Sequence, residues 1–216
     1  MMNTVGGIGD EELGIRPLDP MKIKDISVDI MKDLTITISE GTIKGMKNCV
    51  FNSFIIDWEK ERGNINVTCD ALSVKGQFAV SGNNPGILGV IDSRTLDGQG
   101  RAKVKLENTN INIEFSVNLE KRDGEIYLKI SNKDIKYTYD VEKVHFVTEK
   151  IIIANTDLSE IISSYLNDNW RSVMKQYGSV FVDKALELFV ELVASVCDKI
   201  PTKKFISDDL NSYLKN

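Results

Sequence analysis

The sequence predicts an α+β domain in which one long, strongly curved antiparallel β-sheet wraps around a single long C-terminal helix. Between residues 21 and 150 apolar and polar side chains alternate with a period of two, the pattern of a half-buried antiparallel sheet. Over residues 156–199 the period becomes helical: Leu158, Ile161, Ile162, Tyr165, Leu166, Trp170, Val173, Met174, Tyr177, Phe181, Leu188, Leu192 and Val196 recur at i, i+3, i+4 and i+7. Between Val180 and Val196 the apolar residues cover most of the circumference. A helix apolar nearly all round is enclosed rather than laid on a surface. Asp183, Lys184, Glu187 and Glu191 interrupt it, which excludes a membrane span, and no clean a/d seam marks a coiled coil.

Each element follows from local chemistry. The helix is expected to run unbroken, capped by Thr156 or Asp157 with Glu160 in its first turn and stopped by Pro201. Its weak point is Gly178, which costs about 1 kcal/mol relative to alanine. At about 1.5 Å per residue it would reach roughly 60 Å, so it needs a long partner. The sheet supplies one. Alternating runs stand at Leu34-Ile36-Ile38, Ile65-Val67-Cys69, Leu72-Val74, Phe78-Val80 and Ala102-Val104-Leu106. The clearest is Ile111-Ile113-Phe115-Val117-Leu119, followed by Ile126-Leu128-Ile130 and Ile135-Tyr137-Tyr139. Turns are expected at Glu61-Arg62-Gly63-Asn64, Gly82-Asn83-Asn84-Pro85-Gly86, Asp97-Gly98-Gln99-Gly100 and Arg122-Asp123-Gly124-Glu125. Two unusually long strands are expected over 42–58 and 103–121, and long twisted strands curl. No helical period falls between strands, so there are no parallel crossovers. Residues 1–20, with Pro17 and Pro20, are expected as an extended lead-in, and 200–216 as a closing segment, all in one domain.

A length of 216 residues with 42% apolar residues supports a sizeable core, and the net charge of −5 disfavours nucleic acid or an anionic membrane surface as partner. Residues 1–9 lack the basic and apolar regions of a signal peptide, so the chain is expected either to be cytosolic or to be given from a point downstream of a leader. Cys49, Cys69 and Cys197 have no metal-ligand spacing. Cys49 and Cys69 fall on neighbouring strands, but a turn near Arg62-Gly63 does not set them opposite one another. Free thiols are therefore expected. Asn66-Val67-Thr68 has the pattern of an N-glycosylation acceptor.

No catalytic constellation emerges. His145 is the single histidine, which excludes a histidine-based triad or a multi-histidine metal site, and it sits in strand-like sequence between Val144 and Phe146. Gly98-Gln99-Gly100 lacks the third glycine and the following helix of a phosphate loop. Asp92, beside Ser93-Arg94-Thr95, has no identifiable acid/base partner. No cofactor or metal is implied. What remains is an excess of large apolar groups facing inward from helix and sheet. They either fill a core or leave an elongated apolar cavity with a few polar groups.

Leu13-Gly14-Ile15-Arg16-Pro17-Leu18-Asp19-Pro20-Met21 resembles the Gly-Ile-x-Pro-Leu-Asp-Pro-hydrophobic segment of the insect juvenile hormone-binding protein and takeout family. Collinear with it, Gly45-Met46-Lys47, Leu96-Asp97-Gly98-Gln99-Gly100, Asp123-Gly124-Glu125-Ile126-Tyr127-Leu128, Leu166-Asn167-Asp168-Asn169 and Ile200-Pro201 resemble further segments of that family. The resemblance implies a TULIP-like super-roll around a hydrophobic tunnel, and a secreted, non-enzymatic carrier of juvenile hormone, another terpenoid or a fatty-acid-like molecule. Members also carry an N-terminal disulfide, whereas here no cysteine precedes Cys49. The expected ligand-lining residues are Trp170, Val173, Met174, Tyr177 and Phe181 on the helix and Ile113, Phe115, Val117 and Leu128 on the sheet. The partner is a small hydrophobic ligand, with a receptor or other protein as a further partner, no nucleic acid and no stable membrane insertion, and the expected state is a monomer. The alternative is an interaction or signalling module of the same fold with its core filled. An esterase lacks a nucleophile–base pair.

Overall fold

The computed structural model describes residues 17–31, 34–83, 96–153 and 155–214. Among them seven strands form one antiparallel sheet: β1 (Met21–Met31), β2 (Leu34–Lys44), β3 (Val50–Asp57), β4 (Arg62–Gly82), β5 (Leu96–Arg122), β6 (Glu125–Ile153) and β7 (Thr156–Asp157). The order is β1-β2-β4-β5-β6-β7. β3 joins β4 on the same side as β2, taking the half of β4 that β2 does not reach. Two helices follow, α1 (Ser159–Asp168) and α2 (Trp170–Lys199).

The alternating runs merge into fewer, longer strands than the sequence suggests. The three runs between Ile65 and Val80 are all β4, the two between Ala102 and Leu119 are β5, and the two between Ile126 and Tyr139 are β6. What separates them is a slip in the alternation rather than a turn. On β4 the inward residues are Ile65, Val67 and Cys69, then Leu72 and Val74; on β5 they are Val104 and Leu106, then Thr109, Ile111 and Ile113. β6 slips at the same level, between Val141 and Val144, and pairing between the strands resumes unshifted beyond the slip. Asn108 takes φ 48° there, and its side-chain amide donates to Glu142 Oε2 at 2.5 Å. A second such slip crosses β1 at Asp25 (φ 52°) and β2 near Ser39. Extra residues bend a strand and raise its twist, so slips aligned across neighbours crease the whole sheet.

Three expectations about turns are corrected. The strand expected over 42–58 is broken at Gly45, whose φ of 105° suits glycine and where a Cβ would collide with the Ala71 carbonyl oxygen. The Asp19 carboxylate fastens this break by accepting from the backbone N–H of Gly45 (2.8 Å) and Lys47 (3.1 Å). Asp97-Gly98-Gln99-Gly100 is strand: Gly98 pairs with Val80 and Ile153, and a Cβ on it would stand 2.8 Å from Ile153 Cγ1. These glycines admit a side chain from the next strand. The turn expected at 61–64 lies at 58–61, with Asp57 already paired to Arg62. The expected turn at Asp123-Gly124 is present, with φ of 51° and 82° and Arg122 paired to Glu125, a two-residue hairpin. The turn expected at 82–86 lies largely outside the described residues.

Cys49 and Cys69 form a disulfide, contrary to expectation. Asp57–Arg62 closes the β3–β4 hairpin, and counting back from it in strict register would put Cys49 and Cys69 out of step. The register shifts between Phe51 and Ser53, so Val50 pairs with Thr68 and the two cysteines come opposite. One bulge residue, Asn52, makes the bridge possible.

The helix is also divided. Thr156 and Asp157 pair with Ile153 and Ile152 as β7, and α1 starts at Ser159, whose N–H donates to Asp157 Oδ1 (2.9 Å). The break falls at Asn169, not at Gly178: its φ of −113° leaves helical values and its side-chain amide donates to the Tyr165 carbonyl (2.9 Å). α1 lies along the open edge of β6 and takes the place of a strand. Asn167 accepts from Phe146 N–H (2.9 Å) and donates to its carbonyl (2.7 Å), Ser163 Oγ accepts from Thr148 N–H (2.9 Å), and Ser159 Oγ accepts from Ile151 N–H (2.9 Å). Ser159, Ser163 and Asn167 are four apart, hence on one helix face, and they satisfy backbone groups that an uncovered edge would expose.

Gly178 is buried where α2 crosses β6, and a Cβ there would collide with the Tyr139 hydroxyl. Helix propensity alone would make Gly178→Ala stabilising by about 1 kcal/mol. The contact reverses the sign: urea denaturation is expected to show a net loss of about 1 kcal/mol or more. In a Tyr139→Phe background the same substitution is expected to be neutral or stabilising.

Candidate functional site

The two ends of the curled sheet meet one helix. α2 packs on β6 and also on β1. Val182, Phe189 and Val193 pack against a core cluster formed from β4, β5 and β6, whereas Val180 and Leu188 pack against one built from β1 and β2. A third cluster, of Leu34, Ile151 and Ile153 with Phe78, Val80, Leu158 and Ile162, lies where β2, β4 and β6 meet α1. The result is an apolar trough with α2 running along it.

The nine expected lining residues divide between two parts of this trough. Ile113, Phe115, Val117 and Leu128 are 3%, 2%, 2% and 1% exposed, and with Leu186 and Cys197 they form one close-packed cluster under the second half of α2. Trp170, Val173, Met174 and Tyr177 are half-buried on the first half of α2, and Phe181 is 39% exposed. On the sheet, Ile36 and Ile38 are half-buried against the β1–β2 cluster and Ile111 against the β4–β6 one, and Val104 and Leu106 are half-buried as well. The second half of α2 therefore covers a close-packed cluster, while apolar side chains on its first half keep part of their surface exposed.

Three polar groups on the inner face were not singled out from the sequence. Tyr137 donates its hydroxyl to Asp183 Oδ1 (2.5 Å) and Tyr139 donates to the Met174 carbonyl (3.3 Å), their rings stacked at 6.3 Å. Burial first, and the Asp183 carboxylate second, push both phenols above the usual tyrosine range. They remain neutral donors. Thr109 is 3% exposed, and its hydroxyl has no hydrogen-bond partner among the described residues. The signal in each case is a polar-tipped residue inside an apolar alternation. Buried polar groups are ordinarily paired, which makes the Thr109 hydroxyl an exception among the described residues.

The far end of α2 is held by charge. Lys129 bonds to Asp198 and lies 3.1 Å from Glu120 Oε2; Arg122 lies 3.3 Å from Asp198 Oδ1 and 3.8 Å over the Tyr127 ring. Two cations at a helix C-terminus also complement its dipole. Hydrogen bonding to Lys129 holds the Asp198 carboxyl below its usual range, and the same contact raises Lys129. Beside this cluster an open groove of about 380 Å³ is lined by Lys129, Ile130, Glu191, Ala194, Ser195 and Asp198. Its charged rim sets it apart from the apolar trough. His145 is on β6, half-exposed and 3.8 Å from Glu107. Among the described residues no group of His, Cys, Asp or Glu is arranged to hold a metal ion, and no helix is long and apolar enough to cross a membrane.

The family model described as haemolymph juvenile hormone binding protein matches residues 6–207. The chain belongs to that family. Among solved structures, Takeout 1 of Epiphyas postvittana superposes with a TM-score of 0.74 at 24% identity, over 93% of this chain and 88% of that one. That likeness confirms the fold: a curved antiparallel sheet with a long C-terminal helix, of the TULIP-like kind. A lipopolysaccharide binding protein is matched at a TM-score of 0.30 and 13% identity, over 83% of this chain and 36% of that one. No curated protein sequence matches the chain. Within this juvenile hormone-binding protein fold, three of the segments that carry the family resemblance serve as joints. Asp19 bonds to the Gly45 turn, Asn167 to β6, and Thr202, just past Pro201, donates its hydroxyl to the Ile126 carbonyl (2.8 Å).

Two outcomes follow for the helix end. The depressed Asp198 contributes stability above the unfolded carboxylate range, near pH 4, that is lost as pH falls through its lower folded value. Asp198→Asn is expected to melt earlier than the parent at pH 6 and to close that gap toward pH 2. Cys197 is buried and its thiol is pushed up to about 11 by desolvation. It is expected to resist a thiol reagent at pH 8 in the native state and to react only in denaturant.

Proposed function

We propose that this protein is a carrier that holds a small lipophilic molecule in the apolar trough between α2 and the inner face of the sheet. The observation that supports this best is the uneven filling of the trough. It is closed at Ile113, Phe115, Val117 and Leu128, yet apolar side chains around Trp170, Val173, Met174, Tyr177 and Phe181 keep accessible surface. Apolar area that the fold leaves uncovered gains about 25 cal/mol per Å² when a ligand covers it. The first group would then be the floor of the blind end and the second the wall that a ligand touches.

Membership of the juvenile hormone-binding protein family points the same way, to a terpenoid, a juvenile hormone or a fatty-acid-like molecule. Such a ligand has a long apolar body and one polar end. Tyr177, whose ring keeps accessible surface, is the group proposed to orient it. The matching family model is that of a hormone-binding protein, so binding without chemistry is the reading. The Cys49–Cys69 disulfide, a bond that persists in oxidising compartments, supports an extracellular place of work.

Native mass spectrometry of the purified protein, followed by denaturation and lipid identification, tests the carrier reading. A stoichiometric apolar molecule, or a mass shift after incubation with terpenoids or fatty acids, is expected. Met174→Lys is expected to weaken such binding at least about tenfold, equivalent to 1.4 kcal/mol, with little change in the unfolding midpoint. A bare mass throughout would overturn the carrier reading in favour of a filled core that acts by docking a partner.

A further inference from the structure

We propose that Asn66 carries an N-linked glycan, attached before β3 and β5 close over it; this rests on the reading that the chain passes through a secretory compartment. Asn66-Val67-Thr68 lies in β4, with Val67 turned into the core and Asn66 and Thr68 on the opposite, helix-free face of the sheet. A glycan on that face would meet neither α2 nor the trough.

In the finished sheet the Asn66 side chain is engaged on both sides. Asn66 belongs to a ladder of amides across three strands. Its Oδ1 accepts from Asn52 Nδ2 (2.6 Å) and Asn110 Nδ2 (3.3 Å), and its Nδ2 donates to Asn110 Oδ1 (3.2 Å). The ladder therefore uses both acceptor positions of Asn66 but one N–H of the two. Glycosylation replaces one hydrogen on Nδ2 and leaves one N–H and the carbonyl. The bond Asn66 donates to Asn110 belongs to a reciprocal amide pair and uses the N–H on the carbonyl's side, the one the sugar replaces in a trans amide, so that bond is given up while the Asn66 carbonyl still accepts from Asn52.

In the transfer, Nδ2 attacks the anomeric carbon of a lipid-pyrophosphate-linked oligosaccharide. The N–C bond forms, the bond from that carbon to the pyrophosphate oxygen breaks with its electrons leaving on the lipid pyrophosphate, and a base of the transferring enzyme takes the amide proton. That enzyme must grip the acceptor as a free peptide. In the finished sheet this is prevented: Asn66 is paired with Ser53 of β3 and with Asn112 of β5, and Thr68 with Val50 and Asn110. The disulfide at Cys69, next to Thr68, then locks β3 in place. Transfer must come first. The same oxidising compartment supplies both the bridge and the sugar, so the two compete for one stretch of chain.

The full chain is expressed behind a secretion leader in eukaryotic cells, and the medium and the microsomal fraction are read by mass and by gel shift with and without peptide N-glycosidase. A glycosidase-sensitive shift is expected in the parent and in Thr68→Ser, and its loss in Asn66→Gln and in Thr68→Val. Disulfide-bonded protein of bare mass in the medium would overturn the site, whereas absence from the medium with a shifted microsomal band would count against export alone. For the timing, unglycosylated protein is offered to the transferring enzyme and its lipid-linked donor, native or reduced and unfolded. Modification of the unfolded chain only is expected. Equal modification of the native protein would overturn the order of events.

Discussion

A helix that is apolar on almost every side can be hidden only by a sheet that reaches it from more than one direction. That constraint governs this molecule. Val180 and Leu188 on one side of α2, and Val182, Phe189 and Val193 on another, could not all be covered by a flat sheet. The aligned slips through β4, β5 and β6, and the second through β1 and β2, bend the sheet until its first and sixth strands meet the same helix. Because the slips fall at matching levels, pairing survives the bend. Curvature is gained without giving up the ladder.

A curled sheet leaves open edges. At β6, Ser159, Ser163 and Asn167 of α1 bond to the exposed backbone and so substitute for a missing strand. At the far end of α2, Arg122 and Lys129 grip Asp198, and Thr202 bonds to the hairpin below. Both ends of the helical segment are tied in this way. Several of the segments that resemble the family, rich in Gly, Pro, Asp and Asn, make these joints.

Two features of the site show how much a register matters. Reading Cys49 and Cys69 in strict alternation separates them, and a single bulge at Asn52 brings them together. Among the nine expected lining residues, chemistry marked all as inward-facing, but it could not separate Phe115, sealed at 2% exposure, from Phe181 at 39%. Both are phenylalanines in apolar stripes. Only their neighbours distinguish a sealed side chain from an exposed one.

From the sequence alone came the period of two, the change to helical period, the all-round apolar character of residues 180–196 and the collinear family segments. Together these determined the antiparallel sheet, the enclosed helix and the family. Such features are local or cumulative, so one strand of text is enough to carry them. The tertiary structure decided where alternation slips instead of turning, that Gly98 and Gly100 lie within a strand, that the helix divides at Asn169 and not at Gly178, and which apolar residues are covered. Each of these depends on what a distant strand places opposite. Ile153 beside Gly98 and Tyr139 against Gly178 are contacts between residues far apart in the chain, and no local pattern contains them.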